Sequence, residues 1–203
     1  MRVLLMTFAV FLCDQVTKLA VRGIDLPGIG LHVEGMSYGQ SIPLLGDWLK
    51  ITFIENPNMA FGLDIGGKSL LAAFAIIASL GIVVYLYMHR NGPTLLRVAL
   101  ALVLAGALGN LVDRVFYGVL FDYASWFQGN VVDFMDLDLF TLNFGASAFK
   151  FWPIFNVADA AVSIGVVMLL LASRPVKHPA SATTASPTSS HATSASSATP
   201  PKS

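Results

Sequence analysis

Four apolar stretches, each near the length of about 20 residues that crosses the hydrocarbon core of a bilayer, restrict this chain to a narrow set of architectures. They run Val3–Val21, Ser69–Met88, Leu95–Tyr117 and Ile154–Ala172. In a chain of 203 residues, 55% apolar and only 12% charged, a single soluble core is a poor account of them. The expected fold class is a membrane protein, mainly α, with four transmembrane helices.

Charge sets the orientation rather than the partner. The formal net charge is zero, so no global field points to nucleic acid. Arg2 precedes the first stretch, His89, Arg90 and Arg97 flank the short link between the second and third, and Arg174 and Lys177 follow the fourth. The positive-inside rule makes those sides cytoplasmic and puts both termini inside. Set against this are Lys18, Arg22, Lys50, Lys68, Arg114 and Lys150 on the other side. The first stretch is read as a retained helix rather than a signal peptide. Its apolar part is long, it carries Asp14 and Lys18, and no small-residue cleavage site follows. Cys13, the single cysteine, is read as a small buried apolar residue with no internal disulfide open to it.

The connections differ in character. Residues 50–56, Lys-Ile-Thr-Phe-Ile-Glu-Asn, are β-prone and run into an Asn56-Pro57-Asn58 turn, which predicts a small outer sheet or hairpin. Asn91-Gly92-Pro93 predicts a tight turn, and Gly66-Gly67 marks the start of the second span. The 118–153 connection is rich in Trp and Phe, as suits the interfacial belt. Residues 175–203 are Ala, Ser, Thr and Pro with little bulky apolar content, and are expected to be a disordered cytoplasmic tail beside a 1–174 membrane domain.

Within the apolar stretches the polar residues are few, and intramembrane carboxylates tend to be functional because they are costly. Asp14 and Lys18 share a helix face at i,i+4, as an internal ion pair or as a contact for a polar group. Asn110, Asp113 and Arg114 fall on a second face; Arg114 is expected to pair with a carboxylate, Asp113 or another, and a purely structural cluster is the alternative. Asp133 follows two valines in the outer connection, and Asn156 and Asp159 share a face at the start of the fourth span. If Asp133 and Asp159 converge, one proton is shared between them and the pair can activate water and protonate a leaving amine. On spacing alone, two unrelated carboxylates, one capping a helix and one in a loop, are the competing reading. Asp122, Asp136 and Asp138 are read as solvated loop acids. His32, His89, His178 and His191 lie in loops or the tail, which disfavours a zinc protease or a Ser/His pair in the membrane, and there is no P-loop.

Taken together the motifs resemble the lipoprotein signal peptidase family, bacterial signal peptidase II, over most of residues 8–172. They are Asp14-Gln15-x-Thr17-Lys18, Asn56-Pro-Asn-Met-Ala60-Phe61-Gly62, Gly109-Asn110-Leu-Val-Asp113-Arg114, Val131-Val132-Asp133-Phe134 and Phe155-Asn156-Val-Ala158-Asp159, in family order. The resemblance implies a four-helix aspartic peptidase of the bacterial inner membrane with an extracytoplasmic β cradle. It would remove the signal peptide from diacylglyceryl-modified prolipoproteins and need no cofactor or metal. It also implies that Asp133 and Asp159 are the catalytic pair. Asp14, Asn56, Asn110, Arg114 and Asn156 would line the site, with Lys18 and Asp113 as support. One four-helix unit can hold all of these, so a monomer among membrane lipids is expected. Asn58 and Met59 replace the small pair usual in the second motif, and residues 120–130 and 138–149 are expected to be surface insertions. A transporter and a non-catalytic scaffold are the rival classes. The acids gather toward one membrane face instead of tracing a path across, which disfavours the first.

Overall fold

The computed structural model describes residues 2–57, 67–138, 141–144, 147–150 and 153–172, with 141–150 by backbone alone. Asn58 and Met59 of the second motif and the 175–203 tail lie outside the described residues.

Three helices are long and apolar enough to cross a membrane: α1 (Val3–Arg22), α2 (Gly67–Met88) and α3 (Thr94–Leu120). A shorter apolar helix, α4 (Val157–Ala172), follows. The polarity pattern is inverted relative to a soluble protein. Leu70, Phe74, Ile77 and Leu80 of α2 are each more than half exposed, whereas Asp14, Lys18, Asp113 and Asn156 have no exposed surface. Such an apolar exterior is suited to lipid, and the polar side chains are inside because hydrocarbon cannot hydrogen-bond them.

The helices pack closely where their residues are small, as expected when lipid tails offer no net hydrophobic drive for association. Ala99, Ala105, Gly106 and Gly109 of α3 are buried, as are Ala158, Ala161 and Gly165 of α4. A Cβ on Gly106 would lie 2.2 Å from the Ala158 carbonyl oxygen and 2.6 Å from a Val162 methyl. Gly106→Ala is therefore expected to lower thermal stability in detergent, by about 1–3 kcal/mol for overpacking. Gly81→Ala in α2, where a Cβ meets nothing within 4 Å, is expected to be neutral or stabilising.

Between the helices lies a small β framework. After α1 the chain turns at Gly23 (φ 79°) into β1 (Ile24–Leu26), which pairs antiparallel with β2 (Leu31–Val33). Strands β3 (Ser41–Leu45), β4 (Leu49–Asn56) and β5 (Val131–Leu137) form an antiparallel sheet in that order. A hairpin of β6 (Thr141–Phe144) and β7 (Ser147–Lys150) follows. The expected small sheet is thus present, and the described residues of 141–150 form this hairpin. Val21, Phe53, Tyr117, Val132 and Phe134 form the apolar cluster that seats β4 and β5 on the ends of α1 and α3.

Three sequence expectations are corrected. Cys13 is not buried: its side chain is exposed on α1, on a helix surface shared with the exposed Leu12 and Val16. Asp136 is not a solvated loop acid: it lies on β5, is 5% exposed, and accepts a hydrogen bond from Thr52 Oγ1 at 2.9 Å. Thr52 Oγ1 in turn contacts Ser41 Oγ, so the acid serves a cross-strand polar network. The fourth helix begins at Val157, not Ile154, because Phe155 is extended and exchanges backbone hydrogen bonds with Met135 of β5 at 2.7 and 3.1 Å. That exchange delivers the start of α4 to the strand carrying Asp133.

Candidate active site

Lys18 is the centre of the buried polar network. Its Nζ lies 2.9 Å from Asp14 Oδ2, 2.8 Å from Asp113 Oδ2 and 2.9 Å from Asn110 Oδ1. An ammonium has three N–H donors, and here each has an acceptor. The i,i+4 pairing of Asp14 with Lys18 read from the sequence is present, in its internal form.

The two carboxylates around Lys18 each reach onward to a different element. Asp14 Oδ1 accepts the backbone N–H of Ala158 at 2.8 Å, so a carboxylate from α1 caps the first turn of α4. Asp113 Oδ2 accepts the backbone N–H of Val132 at 3.2 Å, tying α3 to β5 beside Asp133. Asp14 and Asp113 are both fully buried; they hold the elements that carry the dyad candidates. Gln15, which the sequence reading quoted without a role, completes this layer. Its Nε2 lies 3.1 Å from Asp14 Oδ2, Asp113 Oδ1 and the Gly109 carbonyl, and its Oε1 accepts from the Tyr117 hydroxyl at 3.2 Å.

Asp133 and Asp159 are brought into one network by asparagines. Asn156 precedes α4, and its Oδ1 accepts the Asp159 N–H at 2.9 Å while Asp159 Oδ2 accepts the Asn156 N–H at 3.3 Å. This reciprocal arrangement is a capping box. Asn156 Nδ2 reaches Asp133 Oδ1 at 2.7 Å, with the Asn110 Oδ1 and Val132 carbonyl oxygens at 3.1 and 3.2 Å. Asn110 Nδ2 donates to Asp159 Oδ1 at 2.8 Å. On the far side, Asn56 Nδ2 donates to Asp133 Oδ2 at 3.1 Å. The capping half of the competing reading is therefore also true: Asp159 caps its helix and shares a site with Asp133. Burial pushes the Asp133 carboxyl up to about 7, and the charge of Asp159 adds to this against the opposing Asn56, Lys18 and Asn156.

Arg114 departs from expectation. Among the described residues no carboxylate comes within ion-pair distance of it; its Nη1 donates to the Asn110 carbonyl at 3.2 Å. Asp113 has Lys18 as its cation instead, because adjacent helix positions diverge while α1 presents Lys18 directly. Arg114 lies instead in the electrostatic field of Asp113, Asp159 and Asp133. A five-residue π turn, Asp113–Tyr117, sets these side chains at the end of α3.

Asp14, Lys18, Asn56, Asn110, Asp113, Arg114, Asp133, Asn156 and Asp159 are thus joined in one connected cluster, whereas the Thr17 hydroxyl bonds only carbonyls of its own helix. Residues 6–174 match the signal peptidase family described as Signal peptidase (SPase) II. The chain belongs to the signal peptidase II family. Its members are the membrane proteases that remove the signal peptide from prolipoproteins. The chain is 35% identical to a lipoprotein signal peptidase of Porphyromonas gingivalis, over 78% of this chain and 76% of that protein. It is 36% identical to one from Halalkalibacterium halodurans, over 82% and 88%. A solved bacterial membrane enzyme superposes with a TM-score of 0.62 at 29% identity, covering 87% of this chain and 94% of that one. The protein is accordingly an integral membrane, mainly helical signal peptidase.

Proposed function

We propose that this signal peptidase is an aspartic endopeptidase in which Asp133 and Asp159 share one proton. Its substrate is a prolipoprotein whose cysteine already carries a diacylglyceryl group, and the bond cut is the one before that cysteine. The observation that carries the reading is the Asn110–Asn156 bridge, which ties both carboxylates into one site.

The environments divide the roles. Asp133, with its carboxyl pushed up to about 7 by burial, is the proton carrier. Asp159 sits in the first turn of α4, where its oxygens accept N–H groups of Asn156 and Asn110, and it is assigned the part of the base. Asp159 takes a proton from water, and the hydroxide adds to the carbonyl while the Asp133 carboxyl hydrogen-bonds its oxygen. On collapse the C–N bond breaks, and the proton held by Asp159 passes to the leaving amine. Arg114, with guanidinium donors beyond its bond to Asn110, is suited to hold a substrate carbonyl. The diacyl group anchors the substrate in lipid at about 0.8 kcal/mol per buried methylene, which brings the bond to the site from the side.

A bacterial inner-membrane location with both termini cytoplasmic follows from the basic side of Arg2, His89, Arg90 and Arg97. Lys18, Arg22 and Lys68 on the opposite side are each tied to protein acceptors, so they weigh little against it. A monomer suffices for the site.

The test is a gel-shift assay with purified protein in detergent, a diacylglyceryl-modified prolipoprotein and its unmodified precursor. Cleavage of the lipidated form alone supports the proposal; equal cleavage of both overturns the lipid requirement. Activity is also expected to fall as pH rises through about 7, where Asp133 loses the proton it must supply. A pH–rate profile flat to pH 9 would contradict that assignment of roles.

A further inference from the structure

The β4–β5 ladder ends at the pair Asn56–Val131. The next residue on β4 is Pro57, which has no N–H to continue it. An open ladder end frays, and this one lies two residues from Asp133 and includes Asn56, its hydrogen-bond donor.

Asn130, the residue before β5, closes that end with its side chain. Its Nδ2 donates to Glu55 Oε2 at 2.9 Å, and its Oδ1 accepts from Lys68 Nζ, at the start of α2, at 2.6 Å. Its backbone N–H donates to the Tyr123 hydroxyl at 2.7 Å. Each partner is itself anchored. Glu55 Oε1 lies 2.8 Å from Arg22 Nη2 at the end of α1, and the Arg22 guanidinium stacks over Phe121 at 3.5 Å. Lys68 Nζ also donates to the Gln128 carbonyl at 3.1 Å, and Gln128 Nε2 donates to Ser69 Oγ at 2.6 Å. The segment 120–130 is thus a strap fastened to α1, β4 and α2, with Asn130 at the joint.

We propose that Asn130 is a positioning residue for the peptidase reaction: by bridging Glu55 and Lys68 it closes the β4–β5 end and holds Asn56 against Asp133. This rests on the aspartic reading above. A tether serving stability alone would affect folding without affecting the chemistry of Asp133.

The experiment compares Asn130→Asp, Asn130→Ala and the swap Glu55→Gln/Asn130→Asp with wild type, using the lipidated substrate in detergent. Asn130→Asp sets a carboxylate against Glu55; the swap restores one N–H donor and one carboxylate with donor and acceptor exchanged. The expected result is a fall in kcat on the order of 10-fold or more for Asn130→Asp, with KM little changed and most of the loss recovered in the swap. Weakening the Asn56 hydrogen bond removes a contact that favours the Asp133 carboxylate, so the alkaline limb of the pH profile should move to higher pH and return in the swap. Asn130→Ala should shift both readouts the same way, and it carries the test if Asn130→Asp does not fold. Wild-type kcat and pH limb in folded Asn130→Asp and Asn130→Ala would overturn the proposal, as would a loss that the swap leaves untouched. Asp159→Asn is assayed beside them. Retained activity there overturns the aspartic reading itself, whereas a dead Asp159→Asn with unaltered Asn130 variants overturns only the role of Asn130.

Discussion

Replacing Asp133 or Asp159 by asparagine is expected to reduce cleavage of a lipidated prolipoprotein by on the order of 10³-fold or more while leaving a folded membrane protein. Asparagine keeps the volume and one acceptor oxygen but can neither hold the shared proton nor take one from water. The double variant is expected to be no worse than either single one, because the two groups act as a unit. Activity within tenfold of wild type in either single variant would remove that residue from the catalytic pair. The Asp133 variant carries a second readout. An unfolded aspartate ionises near 4, whereas Asp133 in the folded protein does so at about 7, so between those values the unfolded state has released a proton that the folded state retains. Stability therefore falls as pH rises from about 4 to about 7 and stays low above that. Asp133→Asn removes this contribution, so its gain in Tm over wild type should be larger at pH 8 than at pH 4. Loss of one acceptor toward Asn56 or Asn156 offsets part of the gain at both pH values.

Lys18→Met should have the largest effect on stability of any single substitution in the cluster. Methionine fills much the same space without the ammonium, leaving Asp14 and Asp113 as fully buried neighbours with no cation between them. Removing one partner of a buried ion pair costs about 3–5 kcal/mol, which for a chain of this size is a Tm lower by about 10 °C. Adding Asp14→Asn and Asp113→Asn to Lys18→Met removes the stranded charges and should recover part of the loss. Recovery of Tm without recovery of activity is the expected pattern, because Asp14 also caps α4 and Asp113 also holds the Val132 N–H. An unchanged Tm in Lys18→Met would mean that the network is not a keystone of the fold.

What was legible in the sequence follows the range of the interactions. The apolar stretches, the Asp14–Lys18 face, the β-prone 50–56 segment and the Asn156–Asp159 face all depend on residues within a turn or a strand of one another, and all are present. The misread residues are those whose partners are distant in the chain. Asp136 is a loop acid by its neighbours and a buried acceptor because Thr52 faces it. Phe155 belongs to an apolar run and pairs with Met135 instead of entering the helix. Arg114 sits beside Asp113 in sequence, yet the cation that takes Asp113 comes from another helix. Gln15 and Asn130 are unremarkable amides until the elements they join are assembled.

The sequence by itself determined that this chain is a mainly helical membrane protein, where its long apolar stretches lie, and that a few polar residues remain in surroundings where each is costly. Hydropathy and helical period are local properties, and the free energy of placing a carboxylate in hydrocarbon does not depend on its partner's identity. Only the tertiary structure decided which carboxylate meets which donor. That choice rests on hydrogen bonds of about 3 Å between residues as far apart as Asp14 and Ala158. It is enforced by small residues that let α3 and α4 approach and by a strand pair that ends where Pro57 stops it.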